Sequence, residues 1–218
     1  MVTQYAWLIP IFPAIGALVN GLFCRRIRHR AHWMAVPAIG LSFLFSLGAL
    51  SRVLEHPDGW ETILASWVAV PNFQVDFGLR FDPLSTVMAL VVSGIGLLIH
   101  LYSIGYMHED KGYARYFSYL NLFIFFMLTL VLASNYLLLF MGWEGVGLCS
   151  YLLIGFWFHK KSAGDAAQKA FLVNRIGDAG VLLGLFLLSA TFGTLHIETI
   201  VATRLTKRRM EAISKGRR

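Results

Sequence analysis

The chain has 218 residues, 57% of them hydrophobic, and its mean hydropathy is +0.63. Only 14% of the residues are charged, against roughly a quarter in an ordinary soluble domain, which argues against a soluble enzyme, a disordered tail protein and a nucleic-acid-binding module. The net charge of +7 is concentrated in residues 199–218, which hold seven bases and one acid, so that residues 1–198 are nearly neutral.

Six apolar runs are each long enough to cross the hydrocarbon core of a bilayer, which takes about 20 residues of helix. In chain order they are Tyr5–Cys24, Trp33–Leu54, Leu84–Met107, Phe117–Ala133, Tyr136–Phe158 and Ala167–Thr191. The first run is too long for a signal peptide, and its basic residues follow it instead of preceding it. The sequence therefore predicts an all-α polytopic membrane protein with six transmembrane helices, of which the fourth and fifth form a tight antiparallel pair.

The loop between the second and third runs has a different pattern. Residues 73–82 alternate between apolar and other side chains, which is the period of a strand with one buried face. Thr62–Val70 is also compatible with a strand, and Pro71 and Asn72 are typical of a turn. We therefore expect a short β-hairpin on the outer surface, followed by a helix with Asp82 as its N-cap and Pro83 at its first position.

The basic residues of the loops predict an orientation. The loops after the first, third and fifth runs hold nine Lys and Arg residues against two in the loops after the second and fourth, which puts the former in the cytoplasm or the mitochondrial matrix. Six spans then leave residues 199–218 outside, where a basic segment is disfavoured. We expect three parts: a two-helix region with the hairpin (1–82), an incomplete proton-translocation unit of helices three to six (83–198), and a basic tail that is not a native continuation (199–218).

Three charged residues lie at bilayer depth, where a charge costs about 2.5–3.5 kcal/mol and by default marks function. Glu144 is about 12 Å into the fifth run, and Arg175 lies three residues before Asp178 on one face of the sixth. In the functional interpretation, Glu144 exchanges a proton and faces the Arg175–Asp178 pair along a polar axis. In the structural alternative, Glu144 bonds permanently to a neighbouring helix, while Arg175 and Asp178 only neutralise each other.

Two further residues are candidates for a proton path. Lys169 lies near the cytoplasmic start of the sixth run, four residues after Asp165, and is either a proton-entry group or a surface lysine. His100 lies deep in the third run and is either a relay member or a hydrogen-bonded core histidine. The sequence contains no metal-binding cluster, nucleophile–base pair, phosphate-binding loop or redox-cofactor motif, so we expect neither a metal nor a cofactor in this chain.

Long motifs in the chain resemble the subunit L and chain 5 family of NADH–quinone oxidoreductase, the antiporter-like proton-pumping subunits of respiratory complex I. Gly142–Phe156 is similar to the fifth-helix motif of that family, and Lys169–Asp178 is similar to the next block. Asp82–Ser85 and His100–Met107 resemble the block around the third helix. The resemblance extends from residue 1 to about residue 200.

The resemblance implies a membrane subunit that couples quinone reduction to proton transfer across a bacterial inner membrane or, alternatively, a mitochondrial one. It implies no cofactor in this chain, with NADH, FMN, Fe–S clusters and quinone bound by other subunits. The implied partners are the lipid bilayer and other membrane-arm subunits, especially the neighbouring antiporter-like subunit. Glu144 matches a proton-path residue that the family pairs with a lysine on a broken seventh helix, and Arg175 and Asp178 match positions important in the family.

The chain also departs from that family, whose members have many more spans. It stops after the sixth run, before the broken helix, so we expect a truncated or frame-shifted piece that is inactive in isolation. Two related classes share the helix motifs, namely subunits of multisubunit Na⁺/H⁺ antiporters and of membrane-bound hydrogenases. An inert membrane scaffold fragment is the third alternative.

Overall fold

The computed structural model describes residues 5–23, 30–70, 73–204 and 206, which fold into helices and one β-hairpin. The elements in chain order are α1 (Leu8–Leu22), α2 (His32–Glu55), β1 (Trp60–Val70), β2 (Phe73–Phe81), α3 (Pro83–Tyr106), α4 (Tyr113–Val131), α5 (Tyr136–Ile154) and α6 (Lys161–Phe192). A further helical stretch covers residues 197–204. The mostly helical prediction is confirmed. The predicted basic tail lies for the most part outside the described residues.

Within the described residues, five helices, α2 to α6, are long and apolar enough to cross a membrane. The sixth predicted span, α1, is apolar but has 15 residues, which is about 22 Å of helix and shorter than a hydrocarbon core of about 30 Å. The count of six spans is therefore not confirmed.

The predicted bounds of three helices were wrong by one turn or more. α4 begins at Tyr113, four residues before the predicted start, and α5 ends at Ile154, four residues before the predicted end. α6 begins at Lys161 instead of Ala167, because hydropathy marks only the apolar part of a helix and the first turns of α6 include the polar residues Lys161, Ser162 and Asp165. Lys169 accordingly lies about two turns inside α6.

The predicted hairpin is confirmed as a two-stranded antiparallel sheet. Its register pairs Trp60 with Phe81 and Val70 with Phe73. Val75, Leu79 and Phe81 of β2 are buried, as the two-residue period predicts for one face. The Trp60 ring stacks on Phe81 with centroids 5.0 Å apart.

The hairpin, the α4–α5 connection and the segment after α6 meet at one end of the helices. The Arg80 N–H donates to Leu132 O at 2.7 Å, and the Ser134 N–H donates to Gly78 O at 3.0 Å. His196, beyond α6, lies 3.0 Å from Glu61 of β1. Successive helices therefore run in alternating directions, as the predicted membrane topology requires, while the assignment of this end to the outer side stays a prediction.

Asp82 caps α3 as predicted. Its side chain accepts from the Ser85 N–H at 2.8 Å, and the Asp82 N–H donates to the Ser85 hydroxyl at 2.9 Å, which satisfies two N–H groups that the helix leaves unpaired. Burial alone would raise the pKa of Asp82, but its bonds with Ser85 and the nearby Arg80 guanidinium hold that pKa below its usual value.

Two glycines on α5 allow α4 and α5 to pack closely. A Cβ at Gly142 would lie 2.7 Å from the backbone N of Leu130, and a Cβ at Gly145 would overlap the Phe126 ring. Both glycines are buried. This contact holds α5 against α4 on the side of the helix that carries Gly142 and Gly145, and so fixes the orientation of the neighbouring Glu144.

Gly142→Ala is expected to destabilise the full chain by about 1–3 kcal/mol, because the added methyl meets helix backbone, which cannot rotate away. The matched control is Gly180→Ala in α6, where no atom lies within 4 Å of the added Cβ and the substitution favours the helix. Thermal unfolding in lipid measures both variants. Equal midpoints would show that the α4–α5 contact does not limit stability.

Candidate functional site

The candidate site lies between α5 and α6, two of the helices that are long and apolar enough to cross a membrane. Glu144 is in the first half of α5, and Asp178 lies near the middle of α6. Arg175 precedes Asp178 by three residues, so both side chains leave α6 on one face. That face packs against α5, where the Asn174 amide lies 3.9 Å from the position that a Cβ would take at Gly147.

Three of the five predicted site residues come together here. Arg175 forms an ion pair through Nη1 with Oε2 of Glu144 across the helix interface. Arg175 Nε lies 3.8 Å from Oδ2 of Asp178 within α6. The side chains of Glu144, Arg175 and Asp178 are 22%, 42% and 8% exposed respectively. We call these three residues the charged trio.

The charged trio does not balance its own charge. Two carboxylates and one guanidinium sum to a single negative charge when all three groups are ionised. An uncompensated charge is costly inside a membrane, and one added proton makes the trio neutral. The arrangement can therefore hold one exchangeable proton, and the two carboxylates share a single positive partner.

A fourth residue, Trp143, lies at this site and is not among the candidates predicted from the sequence. Its indole Nε1–H donates to Oδ1 of Asp178 at 2.8 Å, so α5 contacts both members of the Arg175–Asp178 pair. An indole N–H at bilayer depth needs an acceptor, and that requirement is the signal in the sequence that could have identified Trp143.

A cavity of about 420 Å³ adjoins the charged trio. Its lining includes Phe123, Met127, Trp143, Ser150, Asn174 and Asp178. The Arg175 guanidinium lies over the Phe171 ring at 4.6 Å from the centroid, and this contact positions the cation at the cavity wall. The cavity therefore places polar groups of α5 and α6 beside Asp178 in an otherwise apolar interior.

His100 lies in a different part of the fold. It is fully buried in α3, with Nδ1 2.7 Å from Gly96 O and Nε2 3.2 Å from the side-chain amide nitrogen of Asn121. These partners belong to α3 and α4, and no hydrogen bond or ion pair joins His100 to the charged trio within the described ranges. Its predicted part in the proton path is untested.

Lys169 also lies apart from the charged trio. It is exposed on α6, and neither it nor Asp165 forms an ion pair in the portion of the chain that is described. The favourable spacing of Asp165 and Lys169 therefore does not produce an ion pair here. A proton-entry role for Lys169 stays a prediction.

Across residues 5–23, 30–70, 73–204 and 206, no three His, Cys, Asp or Glu side chains gather as a metal ion would require.

Two family models match the chain, and together they cover more than half of it. "NADH-Ubiquinone oxidoreductase (complex I), chain 5 N-terminus" matches residues 67–117. "NADH:quinone oxidoreductase/Mrp antiporter, TM" matches residues 133–215, a range that contains the charged trio and Trp143.

Named relatives and a solved structure are similar to the chain. NADH-quinone oxidoreductase subunit L of Mycobacterium tuberculosis is 47% identical over 204 residues, which are 92% of this chain and 32% of the relative. Chloroplastic NAD(P)H-quinone oxidoreductase subunit 5 of Mesostigma viride is 43% identical over 84% of this chain and 29% of the relative. A chain of the Mrp complex from Dietzia sp. matches 89% of this chain and 20% of its own length, with 27% identity and a TM-score of 0.74. The chain thus spans about a third of the relatives' length.

Proposed function

The chain belongs to the family of NADH–quinone oxidoreductase subunit L and chain 5, and from this premise we propose that the charged trio is a proton-transfer site of an antiporter-like subunit of complex I. The observation that carries the proposal is the ion pair of Arg175 with Glu144, which joins α5 to α6 at bilayer depth while Asp178 competes for the same guanidinium.

In the proposed site, the position of the Arg175 guanidinium depends on whether Glu144 holds a proton. With both carboxylates ionised, Arg175 is shared between Glu144 and Asp178, and the trio carries one negative charge. When Glu144 takes up a proton, its electrostatic attraction to Arg175 across the helix interface is lost. The guanidinium then pairs with Asp178 alone. Loss of that proton restores the shared state. Movement of Arg175 between two acceptors therefore couples the charge on α5 to the position of a side chain on α6.

The proposal extends to the whole subunit, of which the chain spans about a third. We propose that it couples quinone reduction to proton transfer, with NADH, FMN, Fe–S clusters and quinone bound by other subunits. Its partners are then the other membrane-arm subunits, with the neighbouring antiporter-like subunit in direct contact. The chain is a multi-pass membrane protein of the bacterial inner membrane, and we propose that α1 is its sixth span.

A second candidate function is that of a subunit of a multisubunit Na⁺/H⁺ antiporter. The similarity to a chain of the Mrp complex, at 27% identity and a TM-score of 0.74, favours it. The identities of 43–47% to subunits of quinone oxidoreductases favour the first proposal. The two functions differ in the driving reaction and in whether Na⁺ is required.

Asp178→Asn is expected to slow proton translocation severalfold, because it removes one of the two carboxylates that share Arg175. The measurement is NADH-driven acidification of inverted membrane vesicles that contain the whole complex, in Na⁺-free buffer. The matched control is Asp165→Asn, an exposed position of the same helix that forms no ion pair with any described residue, which is expected to leave the rate unchanged. Acidification that requires Na⁺ and not NADH would favour the antiporter, and equal rates in both variants would contradict the proposed site.

A further inference from the structure

Trp143 and Glu144 are consecutive on α5, yet they contact different members of one ion pair on α6. Glu144 binds the guanidinium of Arg175, and the Trp143 indole donates to Asp178. The two contacts divide the Asp178 carboxylate, because Oδ1 accepts from Trp143 at 2.8 Å while Oδ2 faces Arg175 Nε at 3.8 Å. A neutral group on α5, the Trp143 indole, thus holds Asp178 in place.

An indole N–H is a permanent donor, since it neither ionises nor accepts a hydrogen bond. A donor fixed on a carboxylate favours the charged form of that carboxylate. Glu144 has no comparable neutral donor among the described residues, and its partner is the guanidinium of Arg175. The charged and titratable groups that face Asp178 in that part of the chain are Arg175 on α6 and Glu144 on α5.

From this arrangement we propose that Trp143 is a positioning residue, which holds the Asp178 carboxylate in place beside Arg175 and thereby leaves Glu144 as the carboxylate that exchanges the proton. The inference rests on the proposed function and deepens it, because it distinguishes the roles of the two carboxylates. Trp143 does not take up or release a proton itself, and it acts only through Asp178. Its effect on proton transfer must therefore disappear when Asp178 has no charge to hold.

The first test is Trp143→Phe in the assembled complex, with proton translocation per NADH oxidised as the measurement. We expect a loss of about tenfold, since a hydrogen bond to a charged group is worth at least one factor of ten. The matched control is Trp157→Phe. Trp157 makes the same kind of bond, from Nε1 to Oδ2 of Asp110 at 2.9 Å, but in the connection between helices. We expect the control to translocate protons at the normal ratio, and equal ratios in the two variants would overturn the proposal.

The second test combines Trp143→Phe with Asp178→Asn in a double-mutant cycle. Because Trp143 acts through Asp178, adding Trp143→Phe to Asp178→Asn is expected to change the residual rate by less than about twofold. A further tenfold loss would assign Trp143 a packing role and overturn the inference, while the slow rate of Asp178→Asn alone would leave the proposed function intact. If Asp178→Asn has no effect, the proposed function itself fails.

Where Trp143→Phe reduces the amount of assembled complex, an isosteric replacement answers the same question. Benzothienylalanine incorporated at position 143 retains the shape of the double ring and replaces the N–H with sulfur. The expected result is normal assembly with the same loss of translocation. Normal translocation without the N–H would overturn the role of the hydrogen bond.

Discussion

Replacing Glu144 with glutamine is expected to reduce proton translocation by the complex about tenfold or more, because a positioned group that takes up and releases a proton contributes at least that much to proton transfer. Glutamine has nearly the same shape, and its carbonyl oxygen can still accept from Arg175. The substitution therefore removes the charge and the exchangeable proton while it preserves a hydrogen bond between α5 and α6. The trio that remains, Arg175 and Asp178 with a neutral side chain, balances its charge without a proton.

The measurement for Glu144→Gln is NADH-driven acidification of inverted vesicles, together with the rate of quinone reduction and the amount of assembled subunit. Glu109→Gln is the control, because Glu109 is exposed between α3 and α4 and forms no ion pair among the described residues. Normal assembly with lost translocation would support proton exchange at Glu144. Normal translocation would instead support the structural alternative, in which Glu144 only bonds two helices together.

Much of the fold could be predicted because membrane helices satisfy strong local constraints. A long apolar run must become helical in lipid to pair its own backbone groups, which is why five of the six predicted runs correspond to helices long enough to span. The alternation of apolar and other side chains in Phe73–Phe81 predicted the hairpin. Asp82 as an N-cap and Pro83 at the first helical position predicted the start of α3. Each of these signals is confined to a few consecutive residues.

The charged trio could be anticipated for a similar reason. Arg175 and Asp178 are three residues apart, a spacing that places them on one helix face. A partner for Glu144 could be expected because an unpaired charge in lipid is costly. The pairing of Glu144 with Arg175 across the interface is a tertiary contact, however, and depends on the rotation of α5 about its axis. Gly142 and Gly145 determine that rotation by their contact with α4.

The remaining features depend on contacts that no local pattern records. The bond from Trp143 to Asp178 joins residues 35 positions apart, and no pattern of neighbouring residues in the sequence indicates that these two side chains meet. The burial of His100 between α3 and α4, away from the charged trio, depends on which helices become neighbours. Hydropathy also misplaced the start of α6, since it measures the apolar length of a segment and not where its helix begins.

Arg175→Gln is expected to cause the other large effect, on assembly and on proton transfer together. Without the guanidinium, Glu144 and Asp178 leave two negative charges in the membrane interior. Removing one partner of a fully buried ion pair costs about 3–5 kcal/mol. We expect about 1–3 kcal/mol here, because the Arg175 side chain is 42% exposed and solvation reduces such energies. The matched control is Lys161→Gln, at the exposed first residue of α6.

The second variant in this series separates charge from shape. Arg175→Gln combined with Asp178→Asn carries one negative charge, as the native trio does, so the amount of assembled subunit is expected to recover to at least half of the native level. Proton translocation is expected to stay low, because no cation remains to move between Glu144 and a second acceptor. Failure of assembly to recover would show that the guanidinium is needed for its packing against Phe171 and not for its charge. Recovery of translocation would show that a carboxylate at position 144 transfers protons without Arg175, and would overturn the shared-cation mechanism.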